Sequence, residues 1–250
     1  MAEATTVLLH GLLGHGGDWS GVTAALPGPV LTLDLPGHGT NRALRVASFA
    51  EFDDWLRQRL QAARIERYRL VGYSLGGRLA LYHASREPAG LEALWLENCH
   101  PGLPEEMRAV RRAHDECWAQ RFERESLPTV LDDWYRQGVF ADLDETARSA
   151  QIARRLDNDG PAVAAMLRAT SLGLQPDLCP WLLGTALPVT YLSGRRDHKF
   201  HTLACQLAGP GSTIDHRTLE GGHNLHATLP ESYARELTRW ASPPEEKSHD

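Results

Sequence analysis

Short apolar, largely β-branched runs recur along the chain, each followed by a stretch of helical periodicity. Thr6–Leu9, Val30–Leu33, Tyr68–Val71, Ala93–Leu96, Pro188–Ser193 and Ser212–Thr218 read as strands. Between them, Ser48-Phe49-Ala50-Glu51 has the form of a capping box, and Phe52, Trp55, Leu56 and Leu60 then fall on one helical face. Further helices are predicted at Leu79–Arg86, His201–Ala208 and Glu231–Trp240. Strand–helix alternation of this kind predicts an α/β fold with a parallel sheet of about six strands, helices covering both faces. Only five residues precede the first strand, so no antiparallel hairpin is expected in front of it.

The alternation stops between His100 and Pro180. That stretch is helical by pattern and carries Trp118, Phe122, Trp134, Tyr135, Phe140 and Met166 among ten arginines and fourteen acidic residues, so it is not a basic patch in bulk. It leaves the sheet after the fourth strand, toward the carboxyl edge, where ligands bind in open α/β sheets. The expected organisation is a core of residues 1–100 and 181–240, a helical lid at 101–180, and a Pro-, Glu- and Ser-rich disordered tail at 241–250.

Composition narrows the class. With 250 residues the chain suffices for one large α/β domain, and a net charge of −6 argues against nucleic acid as the main partner. Cys99, Cys117, Cys179 and Cys205 are scattered, without a C-x-x-C pair, and read as reduced thiols of a cytoplasmic protein. No signal peptide is recognisable and no apolar run approaches the roughly 20 residues that span a bilayer, so no membrane association is expected. Nothing in the pattern bears on oligomeric state.

The chemistry centres on Gly72-Tyr73-Ser74-Leu75-Gly76, between a strand and a helix. A serine flanked by glycines at such a turn is a nucleophile elbow, the mark of the α/β-hydrolase fold. Candidate partners follow in the chain order of that fold. Asp197 comes after the fifth strand, and His223 follows Gly221-Gly222 after the sixth. His226 is the rival histidine. His10-Gly11-Leu12-Leu13-Gly14 follows the first strand, and the N–H groups of Leu12 and Leu75 are the natural pair for an oxyanion hole. This loop lacks the Lys-Ser/Thr of a nucleotide P-loop, and Asp34–Gly39 reads as a turn at the pocket edge. His198-x-x-His201 and His223-x-x-His226 have possible metal spacing but no identifiable third ligand, so no metal is expected. Arg78 lies one turn beyond Ser74 on a helix that this fold buries. A buried guanidinium needs an anion, either an acidic side chain of the protein or a substrate carboxylate.

The chain resembles the 2-succinyl-6-hydroxy-2,4-cyclohexadiene-1-carboxylate synthases of menaquinone biosynthesis over nearly its whole length. The resemblance rests on Val71–Arg78, His100-Pro-Gly-Leu103, His114-Asp115 through Phe122, and Asp133-Trp-Tyr135. It continues in Ala169-Thr-Ser-Leu172, Gln175-Pro176, Arg196–Phe200 and Gly222–His226. It implies a lyase that removes pyruvate from an enolpyruvyl cyclohexene carboxylate without cofactor or metal, with Ser74, Asp197 and His223 as catalytic residues. It also implies that Tyr73, Arg78, Arg111, Trp134 and Arg155 bind a small polycarboxylate substrate. Arg112 and Arg154 stand beside two of these, and the choice within each pair stays open. The same triad would serve a carboxylesterase or a C–C bond hydrolase. A non-catalytic ligand receptor is the remaining alternative, against which the intact triad argues.

Overall fold

The computed structural model describes residues 3–241. Six strands, β1 (Thr5–Leu9), β2 (Val30–Leu33), β3 (Tyr68–Tyr73), β4 (Leu91–Glu97), β5 (Val189–Gly194) and β6 (Asp215–Leu219), form one sheet in the order β2-β1-β3-β4-β5-β6. Every described pairing is parallel, with Leu9 opposite Gly72 where β1 and β3 end together. The chain steps from β1 outward to β2, then returns past β1 to β3. That reversal opens a crevice at the carboxyl ends of β1 and β3, the place where open α/β sheets take up ligands.

Single-turn α1 (Ser20–Thr23) follows β1, α2 (Phe49–Ala62) follows β2, and α3 (Leu75–Ser85) follows β3. Between β4 and β5 come α4 (Glu105–Arg124), α5 (Leu127–Trp134), α6 (Glu145–Arg155), α7 (Gly160–Ala169) and α8 (Cys179–Gly184). α9 (His198–Leu207) joins β5 to β6, and α10 (Leu225–Thr228) and α11 (Pro230–Ala241) close the fold.

The strand residues sort onto two apolar layers with the period of two that a pleated strand imposes. Val7, Leu9, Leu70, Leu94, Leu96 and Tyr191 face one cluster, completed by Phe52 and Leu56 of α2, Leu79 of α3 and Leu207 of α9. Leu8, Val71, Trp95 and Leu192 face the other, completed by Val22 of α1 and Tyr233 and Leu237 of α11. Both faces are dry, which is why the strands are apolar at successive positions. The segment between β4 and β5 has its own cluster, with Phe122 of α4, Val130 and Leu131 of α5, and Val163 and Leu167 of α7 around Leu13 from the β1 loop.

Element limits differ from expectation where local chemistry competes. Ser48 caps α2 by accepting from Glu51 N–H at 3.2 Å, while the Glu51 carboxylate takes Ala47 N–H rather than that of Ser48. α3 begins at Leu75, since Gly76 and Gly77 serve close packing there and do not delay the helix. β6 starts at Asp215, because Ser212 closes a turn onto Gly209 O and its hydroxyl accepts from Ile214 N–H. The tail expected at 241–250 lies outside the described residues except for Ala241, which is buried as the last residue of α11.

Candidate active site

Ser74 sits at the β3–α3 turn with φ 50° and ψ −109°, a conformation that side chains with a Cβ rarely adopt and that costs roughly 1–3 kcal/mol. Two glycines allow the turn. A Cβ on Gly72 would run into Gly76 O, and one on Gly76 into the carbonyl oxygens of Leu9 and His10. Helix and strands therefore approach at backbone distance, and the Ser74 side chain stands clear at the N-terminus of α3.

His223 and Asp197 reach the same point from two other loops. Asp197 caps α9, accepting from Phe200 N–H at 3.2 Å through one oxygen. Its other oxygen lies 2.6 Å from His223 Nδ1, and His223 Nε2 lies 3.3 Å from Ser74 Oγ. Tyr73, Phe140 and Phe200 surround the imidazole with ring centroids 5.3, 5.6 and 5.1 Å away. The arrangement orients His223 to accept the serine proton.

The rival His226 faces away. Its Nδ1 bonds Glu97 Oε2 at 2.8 Å and its ring stacks on Trp19 with centroids 4.0 Å apart. Glu97 also accepts from Leu225 N–H at 2.7 Å, so this pair ties the β6–α10 loop to the end of β4. Next to it, Asn98 donates to His223 O at 2.8 Å and to Gly222 O, and accepts from Gly194 N–H. One amide thus bridges the strand that leads to Asp197 and the loop that carries His223. Neither Glu97 nor Asn98 stands out in the sequence, since each is a single polar residue at a strand end.

The loop carrying Leu12 is held by two buried histidines. His38 Nδ1–H donates to Pro36 O at 3.0 Å, leaving Nε2 to accept from Leu13 N–H at 3.0 Å. His10 Nδ1–H donates to Gly11 O at 2.7 Å, and its Nε2 accepts from Leu35 N–H at 2.9 Å. Both roles require neutral imidazole. Burial pushes His10 down to about 3 and His38 down to about 4. A Cβ on Gly11 would lie 3.5 Å from Ser74 Cβ, which puts this loop against the serine. Leu75 opens α3, where a helix leaves its first N–H groups unsatisfied. The Leu12 N–H takes part in no hydrogen bond among the described residues.

A narrow cavity lies beside the imidazole, lined by Leu12, Tyr73, Trp134, Gln151, Arg155 and His223 among others. Arg155 is buried and its Nη1 holds both Asp18 oxygens, at 2.9 and 2.7 Å. Its neighbour Arg154 is exposed. Arg155 Nε and Gln151 Oε1 have no partner among the described residues.

The other guanidinium groups lie apart from that cavity wall. Arg78 is 9 % exposed and donates to Thr170 O at 2.8 Å and Gln175 Oε1 at 3.4 Å. It has no carboxylate partner among the described ion pairs, so the internal salt bridge considered for it is absent. Burial, and then the Arg111 charge, pull it down to about 10. Arg111 is half-buried on α4 and bonds Asp115 at 2.7 Å, whereas Arg112 is exposed. Asp115 in turn accepts from Ser171 Oγ at 2.7 Å, and Gln175 donates to His100 O at 3.0 Å. The family-like segments that carry His100, Asp115, Thr170 and Gln175 thus meet around Arg78, whereas Trp134 lines the cavity with Arg155.

Residues 6–228 match the family model described as alpha/beta hydrolase fold. The chain is 47 % identical over 241 residues to the 2-succinyl-6-hydroxy-2,4-cyclohexadiene-1-carboxylate synthase of Pectobacterium atrosepticum, covering 95 % of this chain and 94 % of that one. The protein of the same name from Yersinia pestis is 49 % identical over 240 residues, covering 94 % and 86 %. This chain belongs to the 2-succinyl-6-hydroxy-2,4-cyclohexadiene-1-carboxylate synthase family. Among solved structures, MenH from S. aureus superposes with a TM-score of 0.86 at 25 % identity, covering 96 % of this chain and 94 % of that one. The enol-lactonase from Burkholderia xenovorans LB400 shares the fold, with a TM-score of 0.75 at 18 % identity over 96 % and 92 % of the two chains.

Beyond the residues legible in the sequence, this member of the synthase family brings His100 and Lys199 to the Arg78 side. Burial and the nearby Lys199, Arg78 and Arg111 charges pull His100 down to about 4. Lys199 lies over the Phe200 ring at 5.2 Å, and desolvation and the Arg111 charge lower it too. Several cations crowd one region whose nearby acidic partners, Asp115 and Asp197, are already bonded to Arg111 and His223.

Proposed function

We propose that this protein eliminates pyruvate from 2-succinyl-5-enolpyruvyl-6-hydroxy-3-cyclohexene-1-carboxylate, giving 2-succinyl-6-hydroxy-2,4-cyclohexadiene-1-carboxylate. Family membership sets the reaction class. The observation that carries the substrate reading is Arg78, a buried cation among further cations with no carboxylate of its own. Such a group is costly to leave uncompensated, and a substrate carboxylate satisfies it by charge-assisted hydrogen bonds.

In this reading Ser74 passes its proton to His223, and Asp197 stabilises the imidazolium that forms. The Ser74 oxygen removes the proton on the ring carbon beside the succinyl ketone. Charge that develops on the ketone oxygen is met by the N–H groups of Leu12 and Leu75. As the enolate collapses, the ring double bond shifts and the C–O bond to the enolpyruvyl group breaks. The leaving enolate takes up a proton and becomes pyruvate, and His223 and Ser74 return to their starting states. No acyl-enzyme forms, and each group the sequence of steps uses belongs to this chain. Arg78 and Arg111 grip one carboxylate region. Arg155, Tyr73 and Trp134 form the opposite wall.

The helical stretch at 101–180 acts as a lid in this proposal. Trp134, Tyr135, Phe140, Asp142 and Leu143 of this stretch line the narrow cavity. The Asp142 carboxylate lies close enough to Gly222 that a Cβ there would overlap it. In this reading the segment carrying Phe140 and Asp142 moves to admit the substrate. Among the described residues no helix is long and apolar enough to cross a membrane, and all four cysteines are free thiols. A cytoplasmic site of action fits the thiols.

The test is incubation with the enolpyruvyl substrate while pyruvate and the cyclohexadiene chromophore are followed together. Both should rise in equal amounts, and Ser74→Ala should abolish both without unfolding the protein. Hydrolysis of neutral esters with no pyruvate release would replace this reading with an esterase. Near-wild-type turnover in Ser74→Ala would exclude serine-based chemistry.

A further inference from the structure

A second cluster of reactive side chains lies away from the serine. His201 and Cys205 are four residues apart on α9, and so share a helix face. His216 comes from β6, paired with Tyr191 of β5. A ring nitrogen from each histidine and the Cys205 sulfur lie within 4.8 Å of one another, with His201 Nε2 3.9 Å from Cys205 Sγ. The Ser193 hydroxyl on β5 meets the same rings, 3.0 Å from His201 Nδ1 and 2.8 Å from His216 Nε2. Of the two His-x-x-His spacings of the sequence, one contributes only His201 to this group, and the other contributes nothing, because His223 and His226 are bound to Asp197 and Glu97.

We propose that His201, Cys205 and His216 bind a zinc ion, with water as the fourth ligand. The donor set decides the metal. Two imidazoles and a thiolate suit a borderline-soft ion in tetrahedral geometry, whereas calcium and magnesium take oxygen ligands. Zn–N near 2.0–2.1 Å and Zn–S near 2.3 Å place nitrogen and sulfur about 3.5–3.6 Å apart at a tetrahedral angle. The 3.9 Å between His201 and Cys205 is within a few tenths of an ångström of that, and Cys205 is exposed and free to turn. Ser193 supplies the support that ligating histidines commonly have. It can accept an N–H from both rings through its two lone pairs, fixing each ring through one nitrogen. Binding converts the Cys205 thiol to a thiolate, so one proton is released for each zinc taken up. The ion would clamp α9 to β6. Asp197 caps the same helix, so the clamp stiffens the element that carries the triad carboxylate without entering the chemistry.

Zinc titration of untagged, chelator-treated protein tests this, with calorimetry, proton release and thermal unfolding as readouts. We expect one zinc and one proton per chain. The unfolding midpoint should rise by roughly 5–10 °C at a hundredfold excess over Kd. Cys205→Ala and His216→Ala should each abolish all three signals. Ser193→Ala should weaken binding by roughly 10–100-fold. Cobalt should give a thiolate charge-transfer band in the wild type and none in Cys205→Ala. Because Cys205 is exposed and takes no part in catalysis, Cys205→Ala should keep wild-type pyruvate release, which shows that it is folded. Absence of binding to the wild type at micromolar zinc, or binding that survives both ligand variants, would overturn the proposal.

Discussion

Two buried arginines, Arg155 in the cavity wall and Arg78 one turn beyond Ser74, sit under opposite electrostatic conditions. Arg155, in the cavity wall, has its charge matched inside the protein by both oxygens of Asp18. Arg78, on the nucleophile helix, donates to neutral oxygens of Thr170 and Gln175, has no bonded carboxylate among the described residues and is pressed further by Arg111. Arg111 and Arg155 carry their own carboxylates, and the imbalance is concentrated at Arg78. The difference teaches that burial alone does not mark a binding arginine. What marks it is burial without an internal anion.

The sharpest way to break this contrast is to compare stability. Arg155→Met leaves Asp18 buried against an apolar side chain and should cost roughly 3–5 kcal/mol in denaturant unfolding. Adding Asp18→Leu should recover most of that loss. Arg78→Met removes an uncompensated charge and should leave stability unchanged or raised. Equal losses in the two single variants would mean that Arg78 is balanced structurally after all.

Activity sharpens the contrast from the other side. Arg78→Ala should weaken transition-state binding by roughly 2–5 kcal/mol in kcat/KM for pyruvate release, the range for truncating one partner of a buried charge pair. Arg78→Lys should restore only part, since an ammonium cannot reproduce the planar fork. Unaffected elimination in Arg78→Ala would remove the main support for a carboxylate at this position.

The smallest expected effect concerns pH, and it tests the neutral side of the site. His10 and His38 are held down to about 3 and about 4 by burial, below the ordinary value of 6.5. The unfolded chain therefore binds more protons than the folded one below pH 6.5. The stability tied to these neutral rings is complete above that pH and falls as pH drops toward about 4. The slope should approach about 1.4 kcal/mol per pH unit for each ring. His38→Gln keeps an acceptor for Leu13 N–H and removes one titration, so its unfolding profile between pH 6.5 and 4.5 should be flatter. An unchanged slope would contradict a neutral His38.

Much of this arrangement was legible in the chain itself. The inner strands follow from apolar runs, because a sheet covered on both faces buries most of their side chains, whereas the edge strand β6 is largely polar and partly open. The elbow follows from Gly72 and Gly76, because only glycine lets helix and strand meet at backbone distance. Chain order pointed to Asp197 and His223 as Ser74's partners, and resemblance in the helical stretch pointed to Arg111, Trp134 and Arg155. The supports were not legible. His10, His38, Glu97 and Asn98 are isolated polar residues whose partners lie in other loops, and no spacing rule connects them.

What the sequence determined by itself is the parallel α/β core and the candidate reacting groups, since both depend on local periodicity and steric need. Chain order favoured His223, and tertiary structure supplies the physical reason. His223 and His226 lie three residues apart with similar burial, and the placement of Asp197 and Glu97 separates them. Tertiary structure also decided that Arg155 is matched by Asp18, 137 positions away in the chain, while Arg78 has no carboxylate bonded to it among the described residues. Charge balance in a buried site is a sum over neighbours in space, and those neighbours come from segments far apart in sequence.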